Sequence, residues 1–146
     1  MTKIAPSYRL IKAELKHIDA IVELWTKLMK LHKEMDHPFF SESDSHLDSY
    51  KDQLKGDLNS EDHLIVLLLM GNNVKGYVTA SLNQGGVFGI YNSLRFCEIG
   101  DIMIDNEIQQ KGLGELLINE VKQWAKIHQT DRTSISGKTR IGFRIE

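Results

Sequence analysis

The chain has 146 residues, a formal net charge of −2 and a single cysteine, Cys97. That length suits one domain, 1–146, with an ordinary hydrophobic core. The near-balanced charge, with no Lys/Arg cluster, gives no general attraction to nucleic acid or anionic membranes, and one cysteine excludes an internal disulfide. The longest apolar run, LIVLLLM at 64–70, is too short to cross a bilayer. The N-terminal stretch lacks the apolar core of a secretory signal, so the expected setting is the cytoplasm.

Alternation of apolar and polar residues over 8–14 predicts a first strand. From Lys16 the period changes: Ile18, Ile21, Val22, Trp25, Leu28 and Met29 fall on one face of an amphipathic helix. The segment DHPFFSESDS interrupts it, with Pro38 ending helical geometry. Acids and serines at 41–45 then cap a second helix over 44–55, carrying Leu47, Tyr50 and Leu54. A buried strand is predicted at 63–70, a hairpin turn at GNN (71–73) and a strand at 74–84. After a glycine-rich connection, LRFCEIGDIMI (94–104) reads as the third strand of an antiparallel run. A helix over 112–128 follows, with Leu113, Leu116, Leu117, Val121, Trp124 and Ile127 at helical spacing. This order predicts an α/β layered domain, with helices covering a mostly antiparallel sheet.

The connection into the last helix reads QQKGLG, residues 109–114. A P-loop is excluded, because Lys111 precedes Gly112 and no Ser/Thr follows. A dinucleotide fingerprint is excluded because Leu117 stands where its third glycine would be. Two readings remain on spacing alone. One is a glycine turn opening a helix with no ligand. The other is an anion site, in which unpaired amides at the helix N-terminus meet a phosphate that Gly112 and Gly114 admit and Lys111 attracts.

The stretch resembles the Gln/Arg-x-x-Gly-x-Gly/Ala signature of the GNAT family of N-acetyltransferases, with Gln109, Gly112 and Gly114 at its first, fourth and sixth positions. IMIDNEIQ is similar to the family's strand end and short loop, and the element order from Tyr8 to about His128 fits. The resemblance implies a GNAT-like mixed, mostly antiparallel central sheet flanked by helices. It implies acetyl-coenzyme A as cosubstrate and direct transfer of its acetyl group to a primary amine of a small molecule or protein. Main-chain groups of Ile102, Met103 and Ile104 would then meet the pantetheine arm as an added strand would. Gln109, Gln110, Lys111, Gly112, Leu113, Gly114 and Glu115 would form the pyrophosphate loop, with the amides of residues 110–115 as the cradle.

An alkylammonium acceptor must lose a proton before attack. The resemblance points to Glu98 as general base, with Asp101 as a second candidate. Their odd separation puts them on opposite faces of a regular strand unless a bulge intervenes; the plain alternative for either is an exposed strand carboxylate. Acceptor contacts are expected from Glu34, Asp36 and Phe39 in the first interhelical connection, where acids and aromatics would hold a cation. Tyr91, in the glycine-rich connection, is the other rim. His32, His37 and their surroundings lack zinc-ligand spacing, so no metal is expected.

The chain departs from the family pattern after about residue 129, where QTDRTSISGKTRIGFRIE leaves room for one short strand and a tail, and no tyrosine follows Tyr91. Either the C-terminal part is shortened or altered, or a second subunit completes the sheet by strand exchange in a homodimer. The competing function is that of a non-catalytic coenzyme A-binding sensor or partner subunit of the same fold.

Overall fold

The computed structural model describes residues 8–36, 44–85, 94–108, 112–128 and 132–142. Five strands, β1 (Tyr8–Lys12), β2 (His63–Met70), β3 (Asn73–Gly85), β4 (Leu94–Ile104) and β5 (Arg132–Gly142), form one sheet in sequence order. The first four pair antiparallel, and β5 joins β4 in parallel. A parallel neighbour needs a crossover, and α3 (Leu113–Ile127) supplies it between β4 and β5. The two other helices, α1 (Ile18–Asp36) and α2 (Asp44–Leu58), lie between β1 and β2 in the chain.

The helices divide the core between the two faces of the sheet. Ile65, Leu67, Leu69, Tyr77 and Met103 pack with Ile21, Leu28, Tyr50 and Leu54 of α1 and α2. Leu64, Val66, Leu68, Val78 and Ile102 pack with Leu113, Leu117 and Val121 of α3. A strand covered on both faces needs no polar alternation, which accounts for the uninterrupted run in β2.

Strands β2 and β4 have the bounds the sequence predicts. The first strand stops at Lys12 rather than Glu14, because Glu14 caps a 3-10 turn at Leu15–His17, its amide donating to His17 Nδ1 at 2.9 Å. The second helix continues past the expected Lys55 to Leu58. Beyond α3 the expected short strand is the eleven-residue β5; its partner, β4, is distant in sequence, so local pattern underestimates its length.

One irregularity in β4 decides the rest. Thr79 of β3 pairs with Asp101 and Ala80 with Ile99, so Gly100 is an extra, unmatched residue. A bulge reverses the alternation beyond it. Ile99 and Ile102 therefore both enter the α3 core although they are three apart. By the same shift Glu98, opposite Ser81, and Asp101, opposite Thr79, come to the α1/α2 face with Met103. Thr79 Oγ1 accepts the Asp101 amide at 2.9 Å, and a Cβ on residue 100 would lie 2.9 Å from that same oxygen. Gly100→Ala should lower stability by about 1–3 kcal/mol, the range for forcing an extra methyl against a neighbour that must shift. Urea unfolding measures this, and an unchanged midpoint would show that the bulge does not need glycine.

Candidate functional site

Three rows of paired residues cross the α1/α2 face of the sheet. Leu67, Tyr77 and Met103 form an apolar, buried row. Ile65, Thr79 and Asp101 form the next, and His63, Ser81 and Glu98 the last. Polarity thus rises along the face, and the last three side chains are each half-buried. Glu98 can be reached from solvent, whereas Asp101 is only 2% exposed.

Asp101 is held by α2. The Tyr50 hydroxyl donates to Asp101 Oδ2 at 2.7 Å and lies 2.9 Å from the Tyr77 hydroxyl. The Trp25 ring of α1 leans on Tyr50 with centroids 5.2 Å apart. Burial, with the Tyr77 and Asp101 charges adding, pushes the Tyr50 phenol well above its ordinary value. It therefore stays protonated and remains a donor. Nearby, at the end of α2, Asp57 Oδ1 lies 3.5 Å from His63 Nε2, and Ser60 Oγ 3.1 Å from His63 Nδ1. Burial raises the Asp57 carboxyl, with Asp101 adding, while the His63 charge and a Gln53 hydrogen bond oppose it. The polar end of the face therefore gathers three carboxyl groups, at positions 57, 98 and 101.

The exit of β4 is anchored separately. Asp105, buried directly after the strand, accepts from Lys27 Nζ of α1 at 2.9 Å and from the Glu107 amide at 3.0 Å. Lys75 Nζ lies 3.7 Å from the same carboxylate, and Glu107 is within 3.7 Å of both lysines. Burial alone would raise the Asp105 carboxyl, but the Glu107 amide and the two lysines outweigh it and hold it below its usual value. A 3-10 turn, Asn106–Ile108, follows. On the far side of residues 109–111, Gly112 caps α3 with φ +97°, a left-handed backbone that side chains rarely adopt, and its carbonyl accepts the Leu116 amide.

The sequence-predicted site residues fall as follows. Glu98 and Asp101 share a face, and Ile102, Met103 and Ile104 are buried. The backbones of Ile102 and Met103 lie between Val78 and Tyr77 of β3 and Ile141 and Gly142 of β5. Gly112, Leu113, Gly114 and Glu115 open α3, with Leu113 and Gly114 buried and Glu115 exposed. Glu34 and Asp36 lie on the last turn of α1. Gln109, Gln110, Lys111, Phe39 and Tyr91 lie outside the described residues. Tyr50, Tyr77, His63 and Asp57 were not singled out from the sequence; the helical spacing placed Tyr50 on an apolar stripe, and only its hydroxyl hinted at a polar partner. Among the described residues no cluster of His, Cys, Asp or Glu is disposed to hold a metal, and no helix is long and apolar enough to cross a membrane.

The fold, four antiparallel strands with a fifth in parallel and helices on both faces, is similar to that of solved acetyltransferase structures. The aminoglycoside N-acetyltransferase AAC(6')-Iy in complex with CoA superposes with a TM-score of 0.68 at 16% identity, over 93% of this chain and 80% of that one. A predicted acetyltransferase with acetyl-CoA from Clostridium acetobutylicum gives 0.71 at 11% identity, over 90% and 81%. Glucosamine-6-phosphate N-acetyltransferase from Arabidopsis thaliana gives 0.63 at 16%, over 89% and 82%. The chain belongs to the acetyltransferase (GNAT) family, whose model matches residues 25–139. A comparison with curated protein sequences gives no match.

Two outcomes test the anchoring groups. Tyr50→Phe removes a donor from Asp101 and a partner from Tyr77, and should cost about 1–3 kcal/mol in urea unfolding. Asp105, with its folded pKa lowered, contributes stability that is complete above its unfolded value of about 4 and is lost as pH falls through the folded one. Lys27→Met should therefore flatten the fall in urea midpoint between neutral pH and about pH 2. An unchanged slope would show that Lys27 does not set the Asp105 titration.

Proposed function

We propose that the protein transfers an acetyl group from acetyl-coenzyme A directly to a primary amine of a small molecule or protein. The observation that carries this reading is the bulge at Gly100. It sets Glu98 beside Asp101 on one face, on the strand that runs toward the capped N-terminus of α3.

The residues at that helix end suit a pyrophosphate. A Cβ built on Gly112 meets nothing within 4 Å among the described residues, so the space beside this residue is open. The N-terminal end of the fifteen-residue α3 offers unpaired amides and a partial positive charge to an anion there. Residues 109–115 are assigned to this loop, with the amides from Gln110 to Glu115 as donors. Bound acetyl-coenzyme A supplies the thioester carbonyl that the amine attacks; the protein's part is to align the two and to take up a proton.

Glu98 is assigned that proton, because it is the carboxylate of the polar row that solvent and an amine can reach. Asp101, the second candidate, accepts from Tyr50 and is buried, which gives it a fixed position beneath the proposed acceptor. Glu34, Asp36, Phe39 and Tyr91 are proposed to complete the acceptor rim. The carboxyl groups at 57, 98 and 101 favour a cationic acceptor. The similar folds of an aminoglycoside and a glucosamine-6-phosphate N-acetyltransferase, named for small amine acceptors, support a small molecule in that role. The proposal includes no nucleic acid, membrane or metal, takes the cytoplasm as its setting, and extends to a homodimer, for which the outer edge of β1 offers pairing groups.

One observation favours the second reading, a coenzyme A-binding member without catalysis: the chain departs from the family pattern after about residue 129, and no tyrosine follows Tyr91. Thiol release across a panel of amines separates the two readings. Glu98→Gln should reduce turnover by roughly 10²–10⁴-fold, the usual contribution of a general base, while calorimetric binding of acetyl-coenzyme A is retained. Turnover unchanged across pH would remove Glu98 as the base.

A further inference from the structure

Strand β5 does not follow β4 as one continuous ladder. Residues Arg132, Thr133, Ser134 and Ile135 pair with Phe96, Cys97, Glu98 and Ile99, and then the register breaks. Pairing resumes with Arg140, Ile141 and Gly142 opposite Asp101, Ile102 and Met103. Residues 136–139 therefore stand against Gly100 alone, and they include Gly137. The second ladder is three pairs long, set apart from the first by four residues without a register partner in β4, and lies at the C-terminal end of the strand.

A strand has two edges for main-chain pairing. Those of Ile102 and Met103 are taken by Val78 and Tyr77 on one side and by Ile141 and Gly142 on the other. An extended ligand arm that pairs with this part of β4 must displace one of them. The β3 side belongs to a thirteen-residue strand bonded on both edges. The short second ladder of β5 is the side with less to lose.

Resting on the coenzyme A reading above, we propose that residues 140–142 form an internal strap over the pantetheine edge of β4. Coenzyme A and the strap pair with the same main-chain groups and exclude one another. The strap peels from β4 at residues 136–139 while residues 132–135 keep their ladder. Binding is thereby coupled to a closed-to-open equilibrium, and the apparent affinity is the intrinsic affinity reduced by the fraction of open molecules. The bulge opposite residues 136–139 serves both ends: it turns Asp101 to the α1/α2 face and marks where β5 can part from β4.

Hydrogen exchange on the full chain, with and without saturating free coenzyme A, tests this directly. Amides at 140–142 should lose protection on binding, and those at 133–135 should keep it. The double substitution Arg140→Pro/Ile141→Pro removes both adjacent donors, one of which faces β4 because successive strand N–H groups point to opposite edges. With folding confirmed by circular dichroism, it should bind coenzyme A about tenfold more tightly than the unaltered chain. Saturable binding with undiminished protection at 140–142 overturns the strap and leaves the cofactor reading intact. Absence of binding heat in both proteins overturns the two together.

Discussion

Side chains on a strand alternate between its faces, and a single residue with no partner across the ladder reverses that alternation for everything beyond it. Gly100 is that residue in β4. The hydrophobic arrangement depends on it, since Ile99 and Ile102 reach the same core only because the count is shifted. The proposed chemistry depends on it equally. Without the shift, Glu98 and Asp101 would lie on opposite faces, and either the carboxylate or an isoleucine would meet the wrong environment. Thr79 secures the distortion by accepting the Asp101 amide through its side chain, in the space that any Cβ at position 100 would need.

Around this point the structure combines two kinds of order. The apolar layers on either side of β2 and β3 are non-directional and fix which faces meet. The polar contacts fix where individual groups sit. Tyr50 brings α2 onto Asp101, and Lys27 brings α1 onto Asp105 at the far end of the same strand. Both helices on this face are thus tied by directed contacts to β4 and the residue that follows it, with Trp25 and Tyr50 in ring contact between them. Neither is a surface contact: both carboxyl groups are buried, so losing either partner would leave a polar group in a poorly solvated place.

What could be read from the chain follows the range of the interactions involved. The period of the helices, the bounds of β2 and β4 and the turn between β2 and β3 are local, and the sequence carried them. The bulge is a relation between β3 and β4; Gly100 alone permits it, but only pairing shows that Thr79 faces Asp101 and Ala80 faces Ile99. The length of β5 is likewise set by a partner that α3 separates from it. Among residues of the proposed site, Gly112 and Gly114 came from a motif and its spacing, and Glu98 from the family resemblance. Tyr50 was seen as an apolar helix position, and Asp105 drew no notice in a loop. Each owes its role to a contact 51 or 78 residues away in sequence.

Continuous burial of β2 has a further implication for how the sheet finds its alignment. In a strand with one wet face, sliding by one residue exposes the whole apolar set, so the pattern itself enforces pairing. LIVLLLM has no such safeguard, because a slipped copy would present almost the same aliphatic surface to both layers. Alignment must come from the ends. Gly71, at φ +63° between Met70 and its partner Asn73, admits a tight reversal that fixes which residues face each other. At the opposite end, the polar His63 has a place beside Asp57 and Ser60 that Leu64 cannot fill. The most hydrophobic segment of the protein thus carries the least information about its own position, and a glycine and a histidine at its borders supply it.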